Sequence, residues 1–261
     1  DDAELLVASG GHLAPVDYDQ AWRLDTVVFD EHGTPSRAER LVDPDEWIGA
    51  LVRTLTADRS TFTRNDLTGA VASQLGQGAS TWTIERIVNR CVASPHLIAV
   101  HNDTGATVLT SRELAETEQR FIATLHAHTE LTVTGPAVTS AIDERPTLGT
   151  DQAAAISAIC RSNAAVAVLI GPAGTGKTFT LDAVRAACNT AGIDMVGAAP
   201  SARAALELDA GAGIPSRTLQ SLIRRWDNGL EHPGGGTMLV IDEAGMADIR
   251  TLEHAVTRQV A

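Results

Sequence analysis

Lysine is almost absent from this chain: of its 20 basic residues only Lys177 is a lysine, and the rest are arginines. A sequence that uses arginine everywhere else has kept lysine at one place, which singles that place out before any motif is sought. Aromatic residues make up only 3% of the chain, and Tyr18 is the sole tyrosine. Cysteine is scarce too. Cys91, Cys160 and Cys188 are odd in number and lack ligand-type spacing, which excludes a disulfide framework and a zinc site and leaves them as small buried residues. The eight histidines are dispersed, and the closest pair, His126 and His128, would point to different sides of a helix rather than converge on a metal. No apolar run approaches the roughly 18 residues of a membrane span, and no basic-then-apolar leader opens the chain, so the expectation is a cytoplasmic protein with no membrane partner. Positive charge is also lacking. A net charge of −13 excludes a broad basic surface for nucleic acid, although the excess is local: 22 acidic and 11 basic residues precede position 151, against 11 and 9 from there on. A nucleic-acid groove in the C-terminal part stays open.

What is present falls into three stretches. Residues 1–45 mix acidic segments with turn pairs such as Gly10-Gly11 and His32-Gly33, show little sustained periodicity, and read as a partial domain or connector. Residues 46–147 read as a mostly helical domain with a linker. Trp47, Ile48, Leu51, Val52 and Leu55 recur at helical spacing; Thr63-Arg-Asn-Asp66 is a cap-like start to a helix carrying Leu67, Ala70, Val71 and Leu75, which a glycine-rich break at 76–78 ends. Ile84, Ile87, Val88 and Cys91 mark another helix, and two short strands flank Asn102-Asp-Thr-Gly105, a hairpin signal. Helix, helix, hairpin resembles a winged-helix unit. A long helix from Arg112 to about His128 follows, and Gly135, Pro136, Pro146 and Gly149 punctuate a linker. From residue 148 to 261 helices alternate with apolar strands expected at 164–170, 193–198 and 238–241, the pattern of a parallel sheet covered by helices.

The stretch Ala164-Ala-Val-Ala-Val-Leu-Ile170 leads into Gly171-Pro172-Ala173-Gly174-Thr175-Gly176-Lys177-Thr178, which matches G-x-x-x-x-G-K-[ST] in a strand, loop and helix setting. Glycines let such a loop curl so that backbone N–H groups surround phosphates, with the positive end of the next helix aimed at them. Lys177 would reach the β- and γ-phosphates of ATP, and Thr178 would offer its hydroxyl to Mg²⁺. The metal also needs a carboxylate and hydrolysis a positioned water. Met238-Leu-Val-Ile-Asp242-Glu243 supplies both, Asp242 for Mg²⁺ and Glu243 for the water.

These segments, with Ala199-Pro-Ser-Ala-Arg-Ala-Ala205, Arg217-Thr-Leu-Gln-Ser-Leu222 and Asp242-Glu-Ala-Gly-Met246, resemble the first motor domain of superfamily-one DNA helicases of the RecD and TraI kind. The resemblance is strongest to the helicase part of the conjugative relaxase-helicases (TraI, TrwC and TraA type, MobF family), and it covers about 148–250. Phe62-Thr-Arg-Asn-Asp-Leu67, Leu109-Thr-Ser-Arg-Glu-Leu114 and Glu118 look like the segment preceding that motor. The resemblance implies a RecA-like P-loop domain and single-stranded DNA as partner. It places Gln152 where the family reads adenine, Ser201 and Arg203 in the motif lining the strand track, and Thr218 in the next motif that touches the DNA backbone. Helix capping is the alternative role for Ser201 and Thr218.

The chain opens on Asp1 and stops shortly after the Asp-Glu-Ala-Gly-Met segment, so the sequence predicts a piece of a longer protein without the second motor domain and its arginine fingers. A stabilising arginine of that kind is worth roughly 10³–10⁵ in rate. The expectation is therefore ATP binding with weak hydrolysis and no unwinding by the piece alone. A relaxase reaction needs a catalytic tyrosine and a histidine cluster, and Tyr18 stands without one. Two other readings compete: a P-loop ATPase acting on a partner other than DNA, and a nucleotide-binding scaffold without turnover.

Overall fold

The computed structural model describes residues 12–17, 21–29, 35–75, 79–172, 174–231, 234 and 236–260. Tyr18, the turn pairs Gly10-Gly11 and His32-Gly33, the break at 76–78 and Ala173 of the glycine-rich loop lie outside them. The chain divides into two compact units, Asp1–Glu116 and Thr117–Ala261.

The first unit opens with strands β1 (His12–Asp17), β2 (Ala21–Phe29) and β3 (Pro35–Val42), an antiparallel sheet in the order β1-β2-β3. The sequence reads here as a partial domain or connector, because it shows little of the sustained periodicity that marks a strand or helix. Helix α1 (Pro44–Leu55) starts where Asp43 accepts hydrogen bonds from the amides of Asp45 (2.7 Å) and Glu46 (3.3 Å), with proline just inside the first turn, a place where its missing N–H costs nothing. It buries Trp47, Ile48, Leu51 and Val52 of the set its periodicity marks, and Leu55 at its end is partly buried against the same core. Helix α2 (Arg64–Gln74) begins with a reciprocal cap: Thr63 Oγ1 accepts from the Asp66 amide at 3.1 Å, and Asp66 accepts from the Thr63 amide at 2.7 Å. Helix α3 (Thr81–Ala93) adds Ile87, Val88 and Cys91 to the same core, and burial pushes the Cys91 thiol up to about 12. Strands β4 (Leu97–His101) and β5 (Thr107–Ser111) form the expected hairpin. Its turn is held by Asn102 Oδ1, which accepts from the amides of Thr104 (3.1 Å) and Ala106 (2.9 Å), and by Gly105 at φ 79°. A bridge between Phe62 and Leu109 ties the hairpin to the helices.

The end of the first unit falls within helix α4 (Arg112–Leu125), shorter than the expected run to His128. In the second unit the expected linker proves to contain helix α5 (Gly135–Asp143), which buries Ala137, Val138 and Ala141. Pro136 reads as punctuation, yet it occupies the first helical turn, where proline starts a helix rather than breaking one. Helices α6 (Thr150–Arg161), α7 (Lys177–Thr190) and α8 (Ala202–Ala212) pack Ile156, Ala183, Val184, Ala187, Leu208 and Ala212 into one core with Met195 of strand β6 (Asp194–Ala199). Strands β7 (Ser216–Thr218) and β8 (Thr237–Ile241) flank β6 in a parallel sheet, with Ala199 opposite Thr218 and Ala198 opposite Ile241. Helix α9 (Leu219–Asp227) buries Leu222 and Trp226 against Ala198 and against Ala255 of α10 (Ile249–Val260).

One expected strand is not there. Residues 164–170 make a single bridge, Ala164 to His128, after which Val168 is 74% and Ile170 89% exposed. A buried strand must satisfy its backbone through neighbouring strands, and the described sheet, ordered β7-β6-β8, offers none to this segment.

Charged side chains tie α7 to the segment that follows α5 and to the end of α8. Asp182 on α7 accepts from Arg145 Nε (2.9 Å) and Nη2 (2.7 Å) and from Arg185 Nη2 (2.5 Å), while Arg185 Nε donates to the Ala212 carbonyl at the end of α8 (2.7 Å). Burial works to raise the Asp182 carboxyl, but the hydrogen bonds and charges of Arg145 and Arg185 together outweigh it and hold it below its ordinary value. With a depressed folded value, the stabilisation is complete above the unfolded value of about 3.9 and is lost as pH falls through the folded one. Asp182→Asn is expected to destabilise the chain by about 2 kcal/mol at neutral pH. It should also flatten the acid limb of a plot of Tm against pH, and an unchanged acid limb would refute the assignment.

Candidate nucleotide site

The glycine-rich loop folds at the entrance to α7, with Gly176 as the residue before its first turn. Gly174 and Gly176 adopt φ values of 79° and 78°, a left-handed conformation that glycine takes without the strain of a β-carbon. At Gly171 a β-carbon would lie 2.8 Å from Thr175 Oγ1, so the loop closes on itself where a side chain would hold it open. Thr175 Oγ1 donates to the Pro172 carbonyl at 2.8 Å. Lys177 turns back over the loop, its Nζ donating to the carbonyls of Gly171 (2.7 Å) and Pro172 (3.1 Å). The only lysine thus lies within the loop that the sequence assigns to phosphate.

Thr178 follows on α7, half-buried, and the last turn of α8 backs onto it: a β-carbon at Gly211 would come 2.5 Å from Thr178 Cγ2. No sequence signal marks Gly211, because the contact joins two helices 33 positions apart. Gln152, on the first turn of α6, also reaches the loop. Its Oε1 accepts from the Gly149 amide at 2.9 Å, and its Nε2 donates to the carbonyls of Thr175 (3.0 Å) and Gly176 (3.5 Å).

Asp242 and Glu243 follow β8. The Asp242 amide donates to the Ala198 carbonyl on β6 at 2.9 Å, and Asp242 Oδ1 accepts from the Glu243 amide at 2.9 Å. Glu243 is the one described residue other than glycine with positive φ, at 52°, a conformation that costs on the order of 1 kcal/mol for a side chain of this kind. Because β6 and β8 are parallel and in register, Ser201 after β6 and Asp242 and Glu243 after β8 leave the same end of the sheet, where ligands of parallel sheets gather.

The three residues expected to meet nucleic acid have separate surroundings. Ser201 Oγ accepts from the Ala204 amide (3.1 Å) as the cap of α8, and Thr218 Oγ1 accepts from the Ser221 amide (3.2 Å) as the cap of α9. Arg203, with its side chain 89% exposed, donates to Glu207 at 2.8 Å. The Glu207 contact, and after it the charge of Glu243, favours the cationic form of Arg203. Nearby, Arg217 and Arg225 both pair with Glu231, at 2.9 and 2.7 Å.

A Mg²⁺–nucleotide complex matches the chemistry of these donors. Mg²⁺ takes hard oxygen ligands, usually one or two from protein with the remainder from phosphate and water, and the Thr178 hydroxyl and Asp242 carboxylate are of that kind. Among the described residues no group of three His, Cys, Asp or Glu side chains could hold a metal by itself, and no helix is long and apolar enough to cross a membrane.

Residues 147–260 match the family described as AAA domain. The protein named "Probable conjugal transfer protein TraA" from Sinorhizobium fredii (strain NBRC 101917 / NGR234) is 29% identical over 246 residues, which is 90% of this chain and 22% of that protein. The "Conjugal transfer protein TraA" of Agrobacterium fabrum (strain C58 / ATCC 33970) is 43% identical over 99 residues, or 38% of this chain and 9% of that protein. Its namesake from Rhizobium radiobacter is 41% identical over 99 residues. The chain therefore spans about a fifth of the length of the first of these relatives.

Proposed function

We propose that residues 147–260, which match the AAA domain family in a chain similar to conjugal transfer proteins, bind ATP with Mg²⁺ as the first motor of a DNA helicase. The observation that carries the reading is the loop itself. Two left-handed glycines and the only lysine of the chain curl at the positive end of a 14-residue helix, where backbone amides and Nζ are suited to a triphosphate.

Within that reading Lys177 exchanges its two loop carbonyls for the β- and γ-phosphates, and Thr178 and Asp242 hold the metal. Glu243 orients the attacking water as general base. Bound Mg²⁺ neutralises charge on the phosphates. The parent function is DNA transfer between cells, with single-stranded DNA as the track, and residues 46–147 form a mostly helical, winged-helix-like domain and linker ahead of the motor.

A rival reading, an ATPase acting on a partner other than DNA, draws on one observation: the hydroxyls of Ser201 and Thr218 each accept a hydrogen bond as the cap of their own helix, a role that needs no DNA. Arg203 separates the two, since its exposed guanidinium is available to a phosphate at the cost only of a solvent-screened surface ion pair with Glu207. The test is equilibrium binding of a fluorescent ATP analogue, with and without Mg²⁺, and of an oligo-dT strand across a salt series. Arg203→Ala is expected to lower strand affinity by about tenfold and the salt slope by about 0.7 while leaving nucleotide affinity intact. Mg²⁺-dependent nucleotide binding with no strand binding at any salt would transfer the chain to the rival reading.

A further inference from the structure

We infer that the exposed face of α3 is a binding place for a single nucleic-acid strand, with a base stacked on Trp82 and neighbouring phosphates on Arg64 and Arg86. It takes the same class of partner as the motor reading but rests on neither the glycine loop nor Arg203.

Aromatic residues make up 3% of the chain, and among the described residues Trp47 and Trp226 are almost completely buried, yet Trp82 is 61% exposed. One exposed apolar side chain would need no explanation by itself. Its surroundings do. Trp82, Arg86 and Asn89 recur at spacings of four and three and so share one face of α3, away from the buried Ile87, Val88 and Cys91. The Arg86 guanidinium lies 4.8 Å from the centre of the indole. From the first turn of α2, Arg64 Nη2 donates to Asn89 Oδ1 at 2.8 Å and stands 3.5 Å from Glu85 Oε2, which brings a second guanidinium over the same face. Two arginines thus meet one carboxylate beside an aromatic plane, in the stretch before position 151 where acids outnumber bases by 22 to 11.

That combination selects its ligand. Every base has a π-face, and an unpaired base can lay it on an indole while cations take the phosphates on either side. A duplex cannot, because its bases are already stacked on one another. A docked protein asks for the reverse composition, an apolar centre from which charge is depleted. The other large apolar side chain exposed on α3, Val92, lies at the far end of the helix.

The test titrates the full chain, without nucleotide, with oligo-dT, an abasic strand and a duplex of equal length across a salt series. Tryptophan emission reports stacking, anisotropy of the labelled strand reports affinity, and melting curves verify each variant. Oligo-dT should quench the emission. In an Arg203→Ala background, which reduces binding by the motor, Trp82→Ala should lower oligo-dT affinity about tenfold with the salt slope unchanged, and Trp82→Phe should restore most of it. Arg86→Ala should lower the slope by about 0.7. The abasic strand should bind with and without Trp82 alike. Lys177→Ala should lose nucleotide and still be quenched by oligo-dT, which keeps failure of the motor reading distinct from failure of this one. Oligo-dT affinity within twofold of the background in Trp82→Ala would overturn the proposal, as would an equal loss for the abasic strand or equal quenching by the duplex. If the parent sediments as a dimer that Trp82→Ala dissolves, the face joins two copies of the chain and the strand site is wrong.

Discussion

Lys177→Ala is expected to weaken MgATP binding by on the order of 10- to 100-fold while leaving the melting temperature nearly unchanged. A charge-assisted contact to phosphate is worth about 1.5–3 kcal/mol, which sets the range. The free chain draws the value toward the lower end, because Nζ must first leave the carbonyls of Gly171 and Pro172, at 2.7 and 3.1 Å, and only the difference between the two sets of partners appears as affinity. Stability is spared since those carbonyls stay accessible to water once the ammonium is gone. Titration calorimetry with a parallel melt separates the two quantities. Affinity within twofold of the parent in a folded variant would mean that the phosphates sit elsewhere.

The largest effect on stability is expected from Ile156→Ala, about 2–5 kcal/mol in a urea titration. Ile156 on α6 is fully buried in the core it shares with α7 and α8, and truncation leaves a cavity there. Ile170→Ala is the informative contrast. The sequence places Ile170 at the end of a buried strand, immediately before the phosphate loop, yet 89% of it is exposed, so truncation should change stability by no more than about 0.5 kcal/mol. Equal losses at both positions would restore 164–170 to the core.

That contrast also shows which parts of this molecule can be read from a single sequence. Helices announce themselves through local rules. The Thr63 and Asp66 pair and the spacing of Trp47, Ile48, Leu51 and Val52 lie within a few residues of what they control, and the structure puts each where its rule requires. Pro136 shows the limit of local rules, since the same residue that ends one helix begins another, and only the burial of Val138 and Ala141 decides between them. Strand 164–170 shows a second limit. Its apolar run states that a strand is possible, but pairing depends on a neighbour the run itself cannot name. In the candidate site the loop and the acidic pair can be picked out of the sequence because the chemistry proposed for them asks for particular residue types at fixed spacing. The grip of Gln152 on Thr175 cannot, because its partner is a backbone carbonyl 23 positions away, which any residue would supply.

The posture of Lys177 has one more consequence, for chemical labelling. In most proteins an amine-directed acylating reagent meets many side chains, and its yield averages over all of them. Here every other cation on a side chain is an arginine or a histidine, so acylation of a side-chain amine takes place at one atom, the Nζ that lies across the glycine loop. The extent of modification at Lys177, read as the mass increment of the peptide that carries it, becomes a reporter of how often that ammonium leaves its two carbonyls and of what replaces them.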